Sequence, residues 1–218
     1  MMAVTPEAAA RAAQQAAQQA AADADWQAFM AWPASYIDAG RLDTCFSVHL
    51  GSDLCGRLRS TRRLRERLSR IIAEHHALAE PVELESCEAH DRTIALASPE
   101  QLRDIARRSG AIYWARAIAG MVRAADVAEL HRELDETLCS FALMHRDLAG
   151  SEALSAVEGI GARCAEDGLC CFAAWTHTLP DAVGQRVRLK FAACAAIDAP
   201  PQSPFSDIGP AIVRRAAT

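Results

Sequence analysis

The residues of this 218-residue chain that could do chemistry fall into three groups: arginines, thiols with imidazoles, and neighbouring carboxylates. Arg57, Arg59, Arg62, Arg63, Arg65, Arg67 and Arg70 place seven guanidinium groups in fourteen residues. Such a run can hold phosphates, meet an acidic protein surface, or stay solvated. The chain carries a net charge of −5 and has no stacking aromatic inside the run, so protein contact outranks nucleic acid.

His75 and His76, followed by Cys87 and His90, are the one thiol–imidazole cluster that the spacing suggests. Cys87-x2-His90 is not a standard knuckle, and adjacent side chains on a helix diverge by about 100°. No metal site is therefore expected. Cys164, Cys170 and Cys171 stand in or beside an apolar run, where core packing explains them. Glu133 with Asp135 or Glu136 lies on the polar side of a helix, which is ordinarily solvated. The chain has no G-x-S-x-G elbow, no H-E-x-x-H pair, no phosphate loop ending in G-K-[ST] and no G-x-G-x-x-G after a strand. The expectation is a protein with no catalytic residues, no cofactor and no metal.

The elements that must position these groups read as helices. Between Ser98 and Leu148 the pattern is almost continuously helical, opening on Ser98-Pro99, an N-cap followed by proline at the first helical position. Val127, Leu130, Leu134, Leu138, Phe141 and Leu148 fall within about an 80° sector of a helical wheel, which predicts a core helix over 127–148. His145 shares that face and is expected to be a hydrogen-bonded core histidine. An amphipathic helix over 56–76 would carry the arginines outward, with the interleaved Leu54, Leu58, Leu64, Leu68, Ile71 and Ile72 inward. Residues 82–97 alternate weakly and predict a loop rather than two short strands. Leu154, Val157, Ile160 and Cys164 follow at helical spacing. Leu169–Trp175 predicts a buried helix, and 181–196 a further one in which Val183, Val187, Phe191 and Cys194 share a face.

Residues 1–25 are Ala/Gln-rich and predict a frayed or solvated helical tail. Large apolar residues begin abruptly at Trp26, so a helical domain is placed at 26–196. Four prolines after Ala199 predict a loose tail over 197–218. Pro33 bars a continuous helix through Trp32 and predicts an ordered loop pinned by aromatic side chains. Hydrophobic residues at 51% and charged residues at 23% suit a soluble globular domain, and aromatics at 6% with abundant alanine suit close helix packing. The fold class is mainly α: a compact multi-helix domain with little or no sheet. Eight cysteines occur without a secretory pattern at Met1–Ala24, so reduced, mostly buried thiols and a cytoplasmic location are expected. No uninterrupted apolar stretch is long enough to span a bilayer.

Three phrases carry a resemblance to a known family. Trp32-Pro33-Ala34-Ser35-Tyr36-Ile37-Asp38-Ala39-Gly40-Arg41-Leu42 resembles the P-A-S-Y-[IL]-H-x-x-[RW]-L phrase near the start of SctK proteins, with Asp38 where the family often has histidine. Leu96-Ala97-Ser98-Pro99-Glu100-Gln101-Leu102, with Arg107-Arg108-Ser109-Gly110-Ala111, is similar to that family's L-x-x-L…G-A helix pair. Leu179-Pro180, then Arg186 through Leu189-Lys190, is similar to its closing L-P…R-x-x-L-K phrase. The likeness spans about residues 29 to 191.

The SctK family (also YscK, PscK or OrgA/MxiK) serves type III secretion. The resemblance implies a cytoplasmic adaptor of the injectisome sorting platform, linking the inner-membrane ring protein SctD to SctQ-containing pods. Contact with the membrane would then be only indirect, through the basal body. The resemblance does not map an interface, so contact residues come from physics: Arg59, Arg62, Arg63 and Arg67, with Trp32 and Tyr36 in the early loop, where plain core packing is an equal reading. The rival readings are a helical nucleic-acid-binding or regulatory protein using 57–70, and a helical enzyme without a recognisable motif.

Overall fold

The computed structural model describes residues 6–151 and 157–218, and among them every regular element is helical. In chain order these are α1 (Pro6–Ala31), α2 (Ala39–Thr44), α3 (Ser52–Ser60), α4 (Arg65–His75), α5 (Ala89–Leu96), α6 (Pro99–Tyr113) and α7 (Ala115–Ala119). There follow α8 (Ala124–Leu134), α9 (Glu136–Met144), α10 (Ile160–Thr176), α11 (Asp181–Arg188), α12 (Ala195–Asp198) and α13 (Phe205–Ala216). The mainly α fold class is as the composition predicts. No helix among the described residues is long and apolar enough to cross a membrane.

The centre of the fold is α10, packed between α6 and α13. Ile160, Cys164, Cys171, Phe172 and Trp175 bury one broad face of α10. Gly168 and Gly110 let α10 and α6 approach backbone to backbone: a Cβ on Gly168 would lie 2.0 Å from the Ala106 carbonyl oxygen, and one on Gly110 1.7 Å from that of Cys164. Any side chain there would hold the helices apart. α6 itself starts where the sequence marks it. Ser98 Oγ accepts from Gln101 N, and Gln101 Oε1 accepts from Ser98 N, closing a capping box.

Several expectations are corrected. The helix foreseen over 127–148 is broken at Asp135, whose φ of 59° ends α8, while its carboxylate accepts from Leu138 N to start α9. Leu130, Leu134 and Leu138 are nevertheless buried, because both helices turn their apolar sides to the same core. Residues 82–97, foreseen as a loop, contain α5, and Asp91, Ile94 and Ala95 face inward. The helix foreseen over 181–196 stops at Arg188, and Cys194 is exposed rather than sharing the face of Val183, Val187 and Phe191. Leu154 lies outside the described residues.

The largest correction concerns the C-terminus. The segment foreseen as a loose tail contains α13, whose Ile212, Val213 and Ala216 are fully buried. Its Arg214 is fastened by one guanidinium edge to Asp91 of α5, Nε to Oδ1 and Nη2 to Oδ2 at 2.9 Å each. Proline count misled because three of the prolines precede α13, and the fourth, Pro210, is accommodated on its buried side. At the other end, α1 runs unbroken into the core. Its alanines and glutamines from Ala17 to Ala22 are exposed, and burial begins at Trp26, Phe29 and Met30.

Candidate functional site

The arginine run occupies a bent edge of the molecule. Thr61 is extended (φ −82°, ψ 96°), so α3 and α4 are separate helices joined by a 3₁₀ turn at Arg62–Leu64, not the single helix foreseen. Leu68 and Ile72 anchor α4 in the core. Arg57, Arg62, Arg63, Arg67 and Arg70 are exposed, and among the described residues none of the seven arginines makes an ion pair. Arg59 is half-buried, and its Nε is buried without a hydrogen-bond partner. Leu54 and Leu64, foreseen as inward, are instead exposed at 39% and 36%, because the break at Thr61 turns them off the buried face, and nearby in the chain Val48 is exposed at 64%. Uncommitted cations beside exposed leucines combine the polar rim and apolar anchors of a protein-docking surface.

Trp32 and Tyr36 separate. Trp32 is half-buried and its ring is covered by the Arg65 guanidinium, 3.8 Å from the centroid. That stacking ties the early loop to α4. Tyr36 is a core residue: it is buried, and its hydroxyl donates to the Phe29 carbonyl at 2.8 Å. Burial pushes its phenol far above the ordinary range, so it stays neutral. Tyr36 is thus removed from the candidate contact residues, because its body and its polar tip are both spent inside the fold.

The three phrases that carry the family resemblance meet at one place, around Lys190, the only lysine in the chain. Its ammonium donates to the carbonyls of Ala95 at 2.7 Å and Ala97 at 2.8 Å, and faces the rings of Phe29 and Tyr36 at 5.0 and 5.2 Å. Asp38 N donates to Leu189 O at 2.8 Å, joining the first phrase to the last. Arg186 is equally committed, donating to Met30, Ala79 and Ala182 carbonyls. Burial pushes Lys190 down to about 7. These cations hold loop backbones together in the interior. Their placement offers no partner surface.

The thiols and imidazoles regroup. Cys87 is buried, and His90 directs Nε2 at the Arg214 carbonyl, 3.1 Å away, so neither joins His75 and His76. Instead Cys45 Sγ lies 3.7 Å from His76 Nε2, and Cys45, His75 and His76 bring one ligand atom each within 4.8 Å of one another. Nothing in the sequence could flag Cys45, which stands far before His75 and in no motif with it. Cys164 and Cys171 are core residues, and burial pushes the Cys164 thiol up to about 12. All eight cysteines are free thiols.

The carboxylates act as caps, not as an acid–base pair. Glu133 accepts from Gly159 N and Gly161 N at the start of α10, and these backbone bonds hold its carboxyl below the usual range. Asp135 caps α9 and pairs with Arg107 at 3.0 Å. His145, foreseen as a core histidine, is instead half-buried because α9 ends at Met144 and His145 is its C-cap; it lies edge-on to Phe141 with Nδ1 3.3 Å from Arg215 Nη1. A groove of about 960 Å³ between α5, α6 and the end of α13 is lined by His90, Ile94, Glu100, Asp104, Ile105 and Arg108, and His90 there is already engaged with backbone. Comparison of the chain with family models, curated proteins and solved structures finds no match.

Proposed function

We propose that this protein is a non-enzymatic adaptor whose α3–α4 edge docks an acidic protein surface. The observation that carries this reading is a set of exposed arginines without ion pairs among the described residues, Arg57, Arg62, Arg63, Arg67 and Arg70, beside exposed Leu54 and Leu64. Exposed arginines without internal ion pairs at the rim steer an acidic surface and orient the encounter before the apolar anchors engage. The resemblance to SctK proteins names the setting: a cytoplasmic linker between the SctD cytoplasmic domain and SctQ in a type III secretion sorting platform.

The test uses the full chain with Arg62→Glu and Arg63→Glu together, both at exposed positions outside the core. Its thermal midpoint should stay within a degree or two of wild type, while capture of the SctD cytoplasmic domain or SctQ falls at least tenfold. Wild-type capture should also weaken as salt is raised. Undiminished capture by the double variant would refute the docking surface. Recovery of neither partner from a host lysate expressing the secretion apparatus would refute the setting. Salt-sensitive retention on DNA by wild type, lost in the variant, would transfer the same surface to nucleic acid.

A further inference from the structure

We propose that Cys45, His75 and His76 form a binding site for one borderline-soft divalent cation, with Zn²⁺ the ion whose geometry fits. A tetrahedral zinc with Zn–S near 2.3 Å and Zn–N near 2.0–2.1 Å sets its sulfur and nitrogen ligands about 3.6 Å apart. Cys45 Sγ and His76 Nε2 are already 3.7 Å apart, and the three ligand atoms lie within 4.8 Å of one another. His75 is exposed, so its ring can turn toward that pair.

The angular objection to neighbouring histidines is removed by where the helix ends. His75 is the last residue of α4, His76 is its C-cap (φ −91°, ψ 5°), and Ala77 turns left-handed (φ 47°). The two imidazoles consequently meet edge to face with centroids 4.9 Å apart. Carbonyls at the C-terminus of α4 add negative potential, which favours a cation. Arg41, whose charge reaches His76, is neutralised by Asp198 at 2.7 Å and donates to the Phe191 carbonyl.

On binding, the Cys45 thiol gives its proton to solvent as the sulfur–metal bond forms, and the histidines donate as neutral imidazoles. One thiolate and two imidazoles leave a fourth position for water or an exogenous ligand. The bound ion would tie the end of α2 to the end of α4. The loop so closed contains every arginine of the 57–70 run, so the ion would restrain the edge that carries them. The site stands on its own geometry and does not depend on the docking reading.

The experiment is a cobalt titration of the untagged, reduced, chelator-treated full chain. One Co²⁺ per chain is expected, with a near-ultraviolet thiolate-to-cobalt charge-transfer band and visible d–d bands, displaced by one equivalent of Zn²⁺. Cys45→Ser should abolish the charge-transfer band, and His75→Gln and His76→Gln should each weaken binding at least tenfold. Cys194→Ser, at an exposed cysteine elsewhere, should change nothing. Absence of the band in wild type, or its survival in Cys45→Ser, would overturn the proposal. Should Cys45→Ser lose its helical circular dichroism, the exposed His75→Gln variant decides: unchanged cobalt affinity there also overturns it.

Discussion

Gly110→Ala and Gly56→Ala make the same chemical change inside two helices and should move stability in opposite directions. Alanine in a helix interior gains about 1 kcal/mol over glycine from backbone entropy. At Gly56, within α3, a Cβ would meet nothing within 4 Å, so that gain should appear as a stabilisation of about 0.5–1 kcal/mol. At Gly110 the Cβ would sit 1.7 Å from the Cys164 carbonyl oxygen, half the 3.4 Å of ordinary contact, and 2.5 Å from its carbon.

Both obstacles at Gly110 are backbone, so no rotamer change relieves them, and α6 and α10 must separate along their principal contact. Overpacking that side chains can absorb costs about 1–3 kcal/mol. A backbone clash at the central helix pair should exceed the helix-propensity gain and leave a net loss of about 2–4 kcal/mol. For a chain of this size, each kcal/mol moves the midpoint by about 2–4 °C. Gly110→Ala should therefore melt roughly 5–15 °C lower, and Gly56→Ala about 1–4 °C higher, followed by far-ultraviolet circular dichroism. A midpoint for Gly110→Ala at or above wild type would refute the close-approach argument, as would an equal fall for Gly56→Ala.

Other perturbations test the remaining interactions. Asp91→Ala should cost about 2–4 kcal/mol in urea unfolding, because it orphans the fully buried Trp175 indole N–H and releases Arg214 of α13; a loss under about 1 kcal/mol would show that α13 is not fastened there. Burial alone would raise the Asp91 carboxyl, but hydrogen bonds from Arg214 and Trp175 outweigh it and hold it below its ordinary value. Its stabilisation should therefore persist above about pH 4 and drain away as acid protonates the folded state, a limb absent in Asp91→Asn. Lys190, pushed down to about 7 by burial, takes up a proton on unfolding between about pH 7 and 10. Wild-type stability relative to Lys190→Met should rise across that window by up to about 1.4 kcal/mol per pH unit; parallel pH profiles would show that Lys190 stays charged in the fold.

How far the site was legible differs residue by residue. The exposure of Arg62, Arg63 and Arg67 followed from charge on an amphipathic pattern, and α4 keeps that pattern because Leu68 and Ile72 are its deep apolar anchors. The break at Thr61 was not legible, since threonine is tolerated in helices and only the packed geometry shows it extended. Asp135 hid in the same way. A helical wheel assumes continuity, and the leucines on either side of a kink can still reach one core. Tyr36 and Trp32 share a loop, yet one is enclosed beside Lys190 and the other stacked under Arg65, a division set by neighbours far along the chain.

By itself the amino-acid sequence determined the helical class, the capping box at Ser98, the interruption at Pro33 and the onset of the core at Trp26. Each depends on residues within about four positions of one another, where backbone sterics, capping and periodicity act. Only the tertiary structure decided that α10 is central, that α13 belongs to the core and that Lys190 is interior. It alone decided that Cys45 lies beside His76. Those outcomes depend on which faces find each other across the chain, through glycines that permit backbone contact and buried cations that seek distant carbonyls, and no local pattern records that pairing.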